Sequence, residues 1–141
     1  MRREVRLVKD AMEVAALCAG RSTSVTAGAV IQFVGVVRGT EGDSAIEALE
    51  YEAFEAMALH QFGKLLDALE VRWAAVESVT VVHRLGRVAA GEPSLWVEVT
   101  APHRGEAFAS CQWLIDEMKK VVPIWKRPIR GGSGGLGGLG S

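Results

Sequence analysis

The chain contains only two cysteines, Cys18 and Cys111, far apart and with no CxxC pair. That excludes a cysteine-rich zinc site and argues against a structural disulfide in a reducing compartment. Its three histidines, His60, His83 and His103, show no metal-ligand spacing. Nothing in the pattern calls for a metal or an organic cofactor. Neither charge dominates: 16 Lys and Arg stand against 17 Asp and Glu, a formal net charge of −1. General nucleic-acid binding normally needs a basic surplus, so any anion site here must be local. No apolar run approaches the ~18 residues of a membrane span. The start, Met1-Arg2-Arg3-Glu4-Val5-Arg6, lacks the apolar core of a signal peptide. A cytoplasmic protein with no membrane or nucleic-acid partner is expected.

What is present suits one globular unit. The chain has 141 residues, 49% apolar and 23% charged, enough for a real core. Residues 1–130 read as a single domain. Residues 131–141 hold seven glycines in eleven positions. Burial cannot offset the ordering entropy of such a segment, so it reads as a flexible tail.

Along the chain the pattern is α+β. Val5 to Val8 reads as a strand. Asp10 can cap a short helix over Met12, Ala15, Ala16 and Ala19, ended by Gly20. Gly28 to Arg38 is β-branched and nearly all apolar, which predicts a central strand buried on both faces. Gly39 to Ser44 predicts a turn or mobile loop, and Ala45 to Tyr51 a second strand. Phe54, Met57, Ala58, Phe62, Leu65, Leu66 and Leu69 recur at helical spacing up to about Trp73. Val76 to Leu85 is a further strand, broken at Gly86. Ser94 to Thr100 alternates cleanly, as a strand does. A last helix runs from about Gly105 to about Val121. Hairpin-like neighbours such as 76–85 and 94–100 favour a mixed or antiparallel sheet flanked by helices over a doubly wound parallel one.

The end of that helix carries the densest chemistry. Lys119, Lys120, Lys126 and Arg127 place four cations within nine residues, around Pro123. Proline has no N–H and disfavours helical geometry at the preceding residue, so the chain must turn there. Lys126 can then fold back toward Lys119. Converging cations suit an anionic substrate or a lysine with a lowered pKa; a solvated helix end complementing the dipole is the plainer reading. At 100° per residue, Phe108, Cys111, Ile115, Lys119 and Val122 fall within about 80°. Lys119 is thus expected on a buried stripe, either snorkelling out or held in a partly dry pocket, and Lys120 on the solvated side. Cys111 and Cys18 are expected as buried, inert thiols.

Two more basic positions join these. Arg38 ends the apolar strand. His103-Arg104 sits at the start of the last helix, where free N–H groups and the dipole favour an anion. The helix separates His103-Arg104 from Lys119 by about 25 Å. One small ligand cannot easily reach both in one chain, which hints at a site shared by two subunits.

Five segments together resemble one family. FVGVVRG (33–39), LEYEAF (49–54), VVHRLGRVAAGE (81–92), APHR (101–104) and KKVVPIWKR (119–127) are similar to the large, catalytic subunit of molybdopterin synthase. The resemblance covers about residues 5–128 in order. It implies an α/β hammerhead-type fold with an added small antiparallel sheet, and a homodimer. It also implies a partner at each end, making a heterotetramer. That partner is a small ubiquitin-like sulfur carrier whose C-terminal Gly-Gly bears a thiocarboxylate. The implied activity is sulfurtransferase: two sulfurs move onto cyclic pyranopterin monophosphate to form the molybdopterin dithiolene, in molybdenum cofactor biosynthesis.

By that resemblance the catalytic lysines fall on Lys119 and Lys126. Substrate binding falls on Val36, Val37, Arg38, His103, Arg104, Lys119, Lys126, Arg127 and Pro128. The loop after Arg38, Gly-Thr-Glu-Gly-Asp-Ser, departs from many relatives, which carry Asn or His there. Two other classes use the same features: a non-catalytic phosphate or nucleotide-binding module, and a module that only docks a ubiquitin-like protein. The first does not need Lys119; the second turns over nothing.

Overall fold

A computed structural model describes residues 1–20 and 24–131. Residues 21–23 and the glycine-rich tail from 132 onward lie outside the described residues. The elements in order are β1 (Arg2–Val8), α1 (Val14–Ala19), β2 (Ala29–Val36), β3 (Thr40–Glu41), β4 (Ser44–Ala45) and β5 (Ala48–Ala53). Then come α2 (Glu55–Arg72), β6 (Ser78–Arg84), β7 (Gly86–Ala89), β8 (Pro93–Ala101), α3 (Arg104–Val121) and β9 (Ile124–Ile129).

The main sheet has the order β1-β6-β8-β2. β1 runs parallel to β6, and the other pairs are antiparallel, so the sheet is mixed. One face takes both long helices. α2 buries Ala58, Phe62, Leu65, Leu66 and Leu69, and α3 buries Ala107, Ser110, Cys111, Leu114 and Met118. These pack on Val79 and Val81 of β6 and on Leu95, Val97 and Val99 of β8. Phe62 is fully buried, and cutting such a side chain to alanine costs about 3–5 kcal/mol. α1 covers part of the other face through Val14, Leu17 and Cys18, against Met12, Val82 and Trp96. A second, antiparallel sheet has the order β7-β5-β9 and its own core of Val37, Ile46, Leu49 and Val88. The architecture is the expected α+β one, with a mixed sheet flanked by helices and a small sheet added.

Several expectations are corrected. β2 is not central: it forms the edge of the main sheet, and Phe33, Val34 and Val36 are exposed. The interior positions belong to β6 and β8, and β8, whose sequence alternates, is covered along almost its whole length. Its polar residues are satisfied within the sheet: the Gln32 amide donates to Glu98 at 2.7 Å, and Ser78 bonds Thr100. Asp10 caps nothing, because α1 starts later, with Glu13 at its N-cap; Ala15, Ala16 and Ala19 face solvent. Cys18 is half-buried rather than buried. The 39–44 loop is a small hairpin of β3 and β4, with Gly42 at φ +61°. β9 was not foreseen. Pro123 does end the helix: Val122 is extended, and the chain turns straight into a strand pairing with β5.

Candidate active site

The two sheets meet at the C-terminal end of α3, and the junction leaves a cavity of about 560 Å³. The run from Phe33 to Arg38 forms one wall, with Thr40 and Glu41 of the hairpin beyond it. Leu49 and Tyr51 come from β5, His83 from β6, and Ser94 and Leu95 from β8. Met118, Lys119 and Val122 close the α3 side, and Ile124, Trp125 and Lys126 the β9 side.

Local structure explains each cation's position. Val37 is buried and tied at both ends: its N–H donates to the Glu92 carbonyl at 3.0 Å, and its carbonyl accepts from Gly91 N–H at 2.8 Å. Arg38 therefore leaves a fixed point at the cavity rim. Glu92 is itself held, since Arg84 Nη1 and the Ala89 N–H both donate to its Oε1. Gly86 and Gly91 adopt φ +85° and +89°, which side chains rarely tolerate. The segment 81–92 is thus a brace that sets Arg38.

Lys119 reaches the cavity by a different route from the one expected. The buried stripe of α3 centres on Ala107, Cys111, Leu114 and Met118, and Phe108 is 58% exposed. Lys119 lies roughly 120° from the middle of that stripe. In the single chain it is exposed, not desolvated. It borders the cavity because Met118, beside it, forms part of the same wall. Lys120 points elsewhere. Its Nζ lies 2.9 Å from Glu117, whose hydrogen bond and charge raise the lysine's pKa. The buried-stripe argument for Lys119 does not hold; what distinguishes the two lysines is that Lys120 is engaged, while Lys119 has no ion-pair partner among the described residues. The same holds for Arg38 and Lys126. Three unpaired cations therefore face one cavity, against the single carboxylate of Glu41.

Strand geometry sorts the remaining candidates. Lys126 pairs with Tyr51 across the β5–β9 ladder. Arg127, one residue further along β9, lies beyond the cavity that Lys126 faces. Arg127 is exposed opposite Glu50, and Pro128 is half-buried opposite Leu49; neither lines the cavity. His103 and Arg104 stand at the far end of α3. The His103 N–H donates to Glu106 at 3.1 Å as part of the helix cap, and the imidazole is 87% exposed. Val36, Val37, Arg38, Lys119 and Lys126 are thus brought together; His103, Arg104, Arg127 and Pro128 are not, within one chain.

Tyr51, His83 and Ser94 line the cavity and were not singled out from the sequence. Burial holds the His83 imidazole below its ordinary pKa, partly offset by its hydrogen bond to the Arg84 carbonyl. No cysteine lines the cavity. Cys111 lies in the core, and burial pushes its thiol up to about 11, so it is inert as expected.

The profile of the MoaE protein family matches residues 7–121. The chain belongs to the MoaE family. A molybdopterin synthase catalytic subunit from Nostoc sp. is 41% identical over 100 residues, 71% of this chain and 61% of that protein. The molybdopterin synthase structure from Staphylococcus aureus superposes with a TM-score of 0.81 at 28% identity, covering 89% of this chain and 90% of that one. A Helicobacter pylori complex of subunits 1 and 2 of molybdopterin-converting factor gives a TM-score of 0.70 at 25% identity, covering 91% and 90%. Against the first curated relatives the match spans 28% to 64% of their length. The MoaE resemblance read from the five segments is therefore upheld. No helix among the described residues is long and apolar enough to cross a membrane.

Proposed function

We propose that this MoaE chain is the catalytic subunit of a molybdopterin synthase, moving sulfur from the C-terminal thiocarboxylate of a small ubiquitin-like carrier to cyclic pyranopterin monophosphate. The working unit is the single domain 1–130. The observation that carries the reading is the convergence of Arg38, Lys119 and Lys126, all unpaired among the described residues, on one cavity without a thiol.

The chemistry suits those residue types. A thiocarboxylate is already an activated sulfur donor, so no cysteine nucleophile is needed. The protein must hold an anionic pterin, stabilise oxyanions and move protons. The C-terminal end of a helix repels anions through its dipole, so cations must supply the attraction there. Arg38 offers a planar fork for phosphate oxygens. Lys119 is the acid/base or charge-stabilising group nearest the reacting carbons and the carrier terminus, and Lys126 supports it.

His103 and Arg104 act on the same substrate from a second copy, in a homodimer that binds one carrier at each end. Their distance from Lys119 within one chain favours this arrangement. Arg127 and Pro128, next after Lys126 on β9, complete the substrate-binding set. The proposed compartment is the cytoplasm, consistent with two free cysteines.

The test mixes the protein with thiocarboxylated carrier and cyclic pyranopterin monophosphate and assays for dithiolene product. Product is expected. Tight binding of both without product would leave a docking or phosphate-binding module in place of an enzyme.

A further inference from the structure

The cavity floor carries polar groups that sulfur transfer leaves without a role. Along β6, Val79, Val81 and His83 share one face by strand alternation. The valines enter the core, and His83 sits at its margin, where the cavity begins. His83 is 6% exposed. Its Nδ1 lies 2.8 Å from the Arg84 carbonyl oxygen. A carbonyl only accepts, so Nδ1 carries the proton and Nε2 is a bare acceptor. No described residue donates to Nε2.

The ring is also held in orientation. Tyr51 packs against it edge-on, at 5.0 Å between centroids and 71° between planes. The Tyr51 hydroxyl is 3.4 Å from Ser94 Oγ, which is 3.4 Å from the Gly35 carbonyl. Both contacts are long, leaving the hydroxyl free to serve a ligand. Leu49, Leu95 and Met118 make the surrounding wall apolar. The charged groups facing this space are Arg38, Glu41, Lys119 and Lys126. Arg84, next in the chain, faces the other way and pairs with Glu92. A second positive charge beneath three cations, in a dry floor, would be costly, and burial keeps the imidazole neutral.

We propose that His83 is a specificity-determining binding residue. Its Nε2 accepts a hydrogen bond from the N–H edge of a flat heteroaromatic ring on the cavity floor, and the Tyr51 hydroxyl serves the same edge. The floor thus reads the ring, while the cationic rim holds the phosphate. The choice of ring rests on the sulfur-transfer reading, since a pterin presents amide and amino N–H donors along one edge.

The experiment separates floor from rim with two probes: 6-hydroxymethylpterin, which has no phosphate, and inorganic phosphate, which has no ring. His83→Asn retains an amide N–H near Nδ1 and loses the acceptor at Nε2. It should weaken hydroxymethylpterin binding about 2- to 12-fold, the range of one neutral hydrogen bond, and leave phosphate binding unchanged. His83→Gln, whose amide oxygen reaches toward the Nε2 position, should recover part of the loss. Tyr51→Phe keeps the ring packing and should show a smaller loss confined to the same probe; it carries the test if His83→Asn does not fold. Wild-type pterin affinity in both His83→Asn and Tyr51→Phe overturns the proposal, as do equal losses for the two probes. Dithiolene formation by the wild-type protein is read separately, so a failed floor assignment is distinguishable from a failed enzyme reading.

Discussion

At its C-terminal end α3 opens onto a walled cavity, where Lys119 meets Arg38 and Lys126 across about 560 Å³. At its N-terminal end His103 and Arg104 stand in open solvent, with Glu106 capping the helix. By helix electrostatics alone the N-terminal end is the better anion site, because its free N–H groups and dipole favour negative charge. The C-terminal end opposes anions, yet it has the walls. Walls matter because they exclude water and let fixed charges act in a lower dielectric. A cluster of cations becomes a site only where the fold encloses it. In this family member the N-terminal cluster gains an enclosure only if another molecule supplies it.

The sharpest way to break this comparison is Lys119→Ala. Sulfur transfer under single-turnover conditions should fall at least about 100-fold, the scale of losing a positioned acid/base group. The side chain is exposed, so the melting temperature should barely move. Arg38→Ala should weaken cyclic pyranopterin monophosphate binding by about 1.5–3 kcal/mol, roughly 10- to 150-fold, while carrier affinity measured by calorimetry stays unchanged. Arg104→Ala should cost about 10-fold in the same titration, and only at protein concentrations where the chain is dimeric. A concentration-independent loss would place Arg104 in its own subunit's site. Lys120→Ala should be nearly silent in activity. Its i,i+3 pair with Glu117 is exposed and worth only a few tenths of a kcal/mol in stability.

How much of this was legible depended on whether the deciding contact was local. α2 was readable to within a residue at each end, because its buried positions repeat at helical spacing over 18 residues. The roles of β2 and β8 were exchanged, since apolar composition does not say which strand has neighbours on both sides. Phe33, Val34 and Val36 look like core and sit at an edge, while β8 hides Glu98 and Thr100 by pairing them inside the sheet. β9 was missed because Ile-Trp-Lys-Arg-Pro-Ile, with two cations and a proline, resembles a basic loop. Arg38, Lys119 and Lys126 were singled out by the strand end and the cation cluster around Pro123, and the family resemblance named the same three. Arg127 was grouped with them by adjacency and by the resemblance, and within one chain it lies outside the cavity lining. Tyr51, His83 and Ser94 come from three different strands, and no spacing in the chain announces that they meet. The one available signal was His83 itself, which shares a face of β6 with Val79 and Val81.

The central claim is that the walled end of one α3 and the open end of another serve a single site. Mixing Lys119→Ala protein with Arg104→Ala protein tests it most directly, at substrate far below its Kd, where the first is nearly inactive and the second keeps about a tenth of wild-type activity. If the residues come from different subunits, each mixed dimer rebuilds one intact site of two. Random exchange should then restore about a quarter of wild-type sulfur transfer, as half the dimers are mixed. No recovery after verified subunit exchange would mean that Lys119 and Arg104 act within the same chain, and would contradict the account.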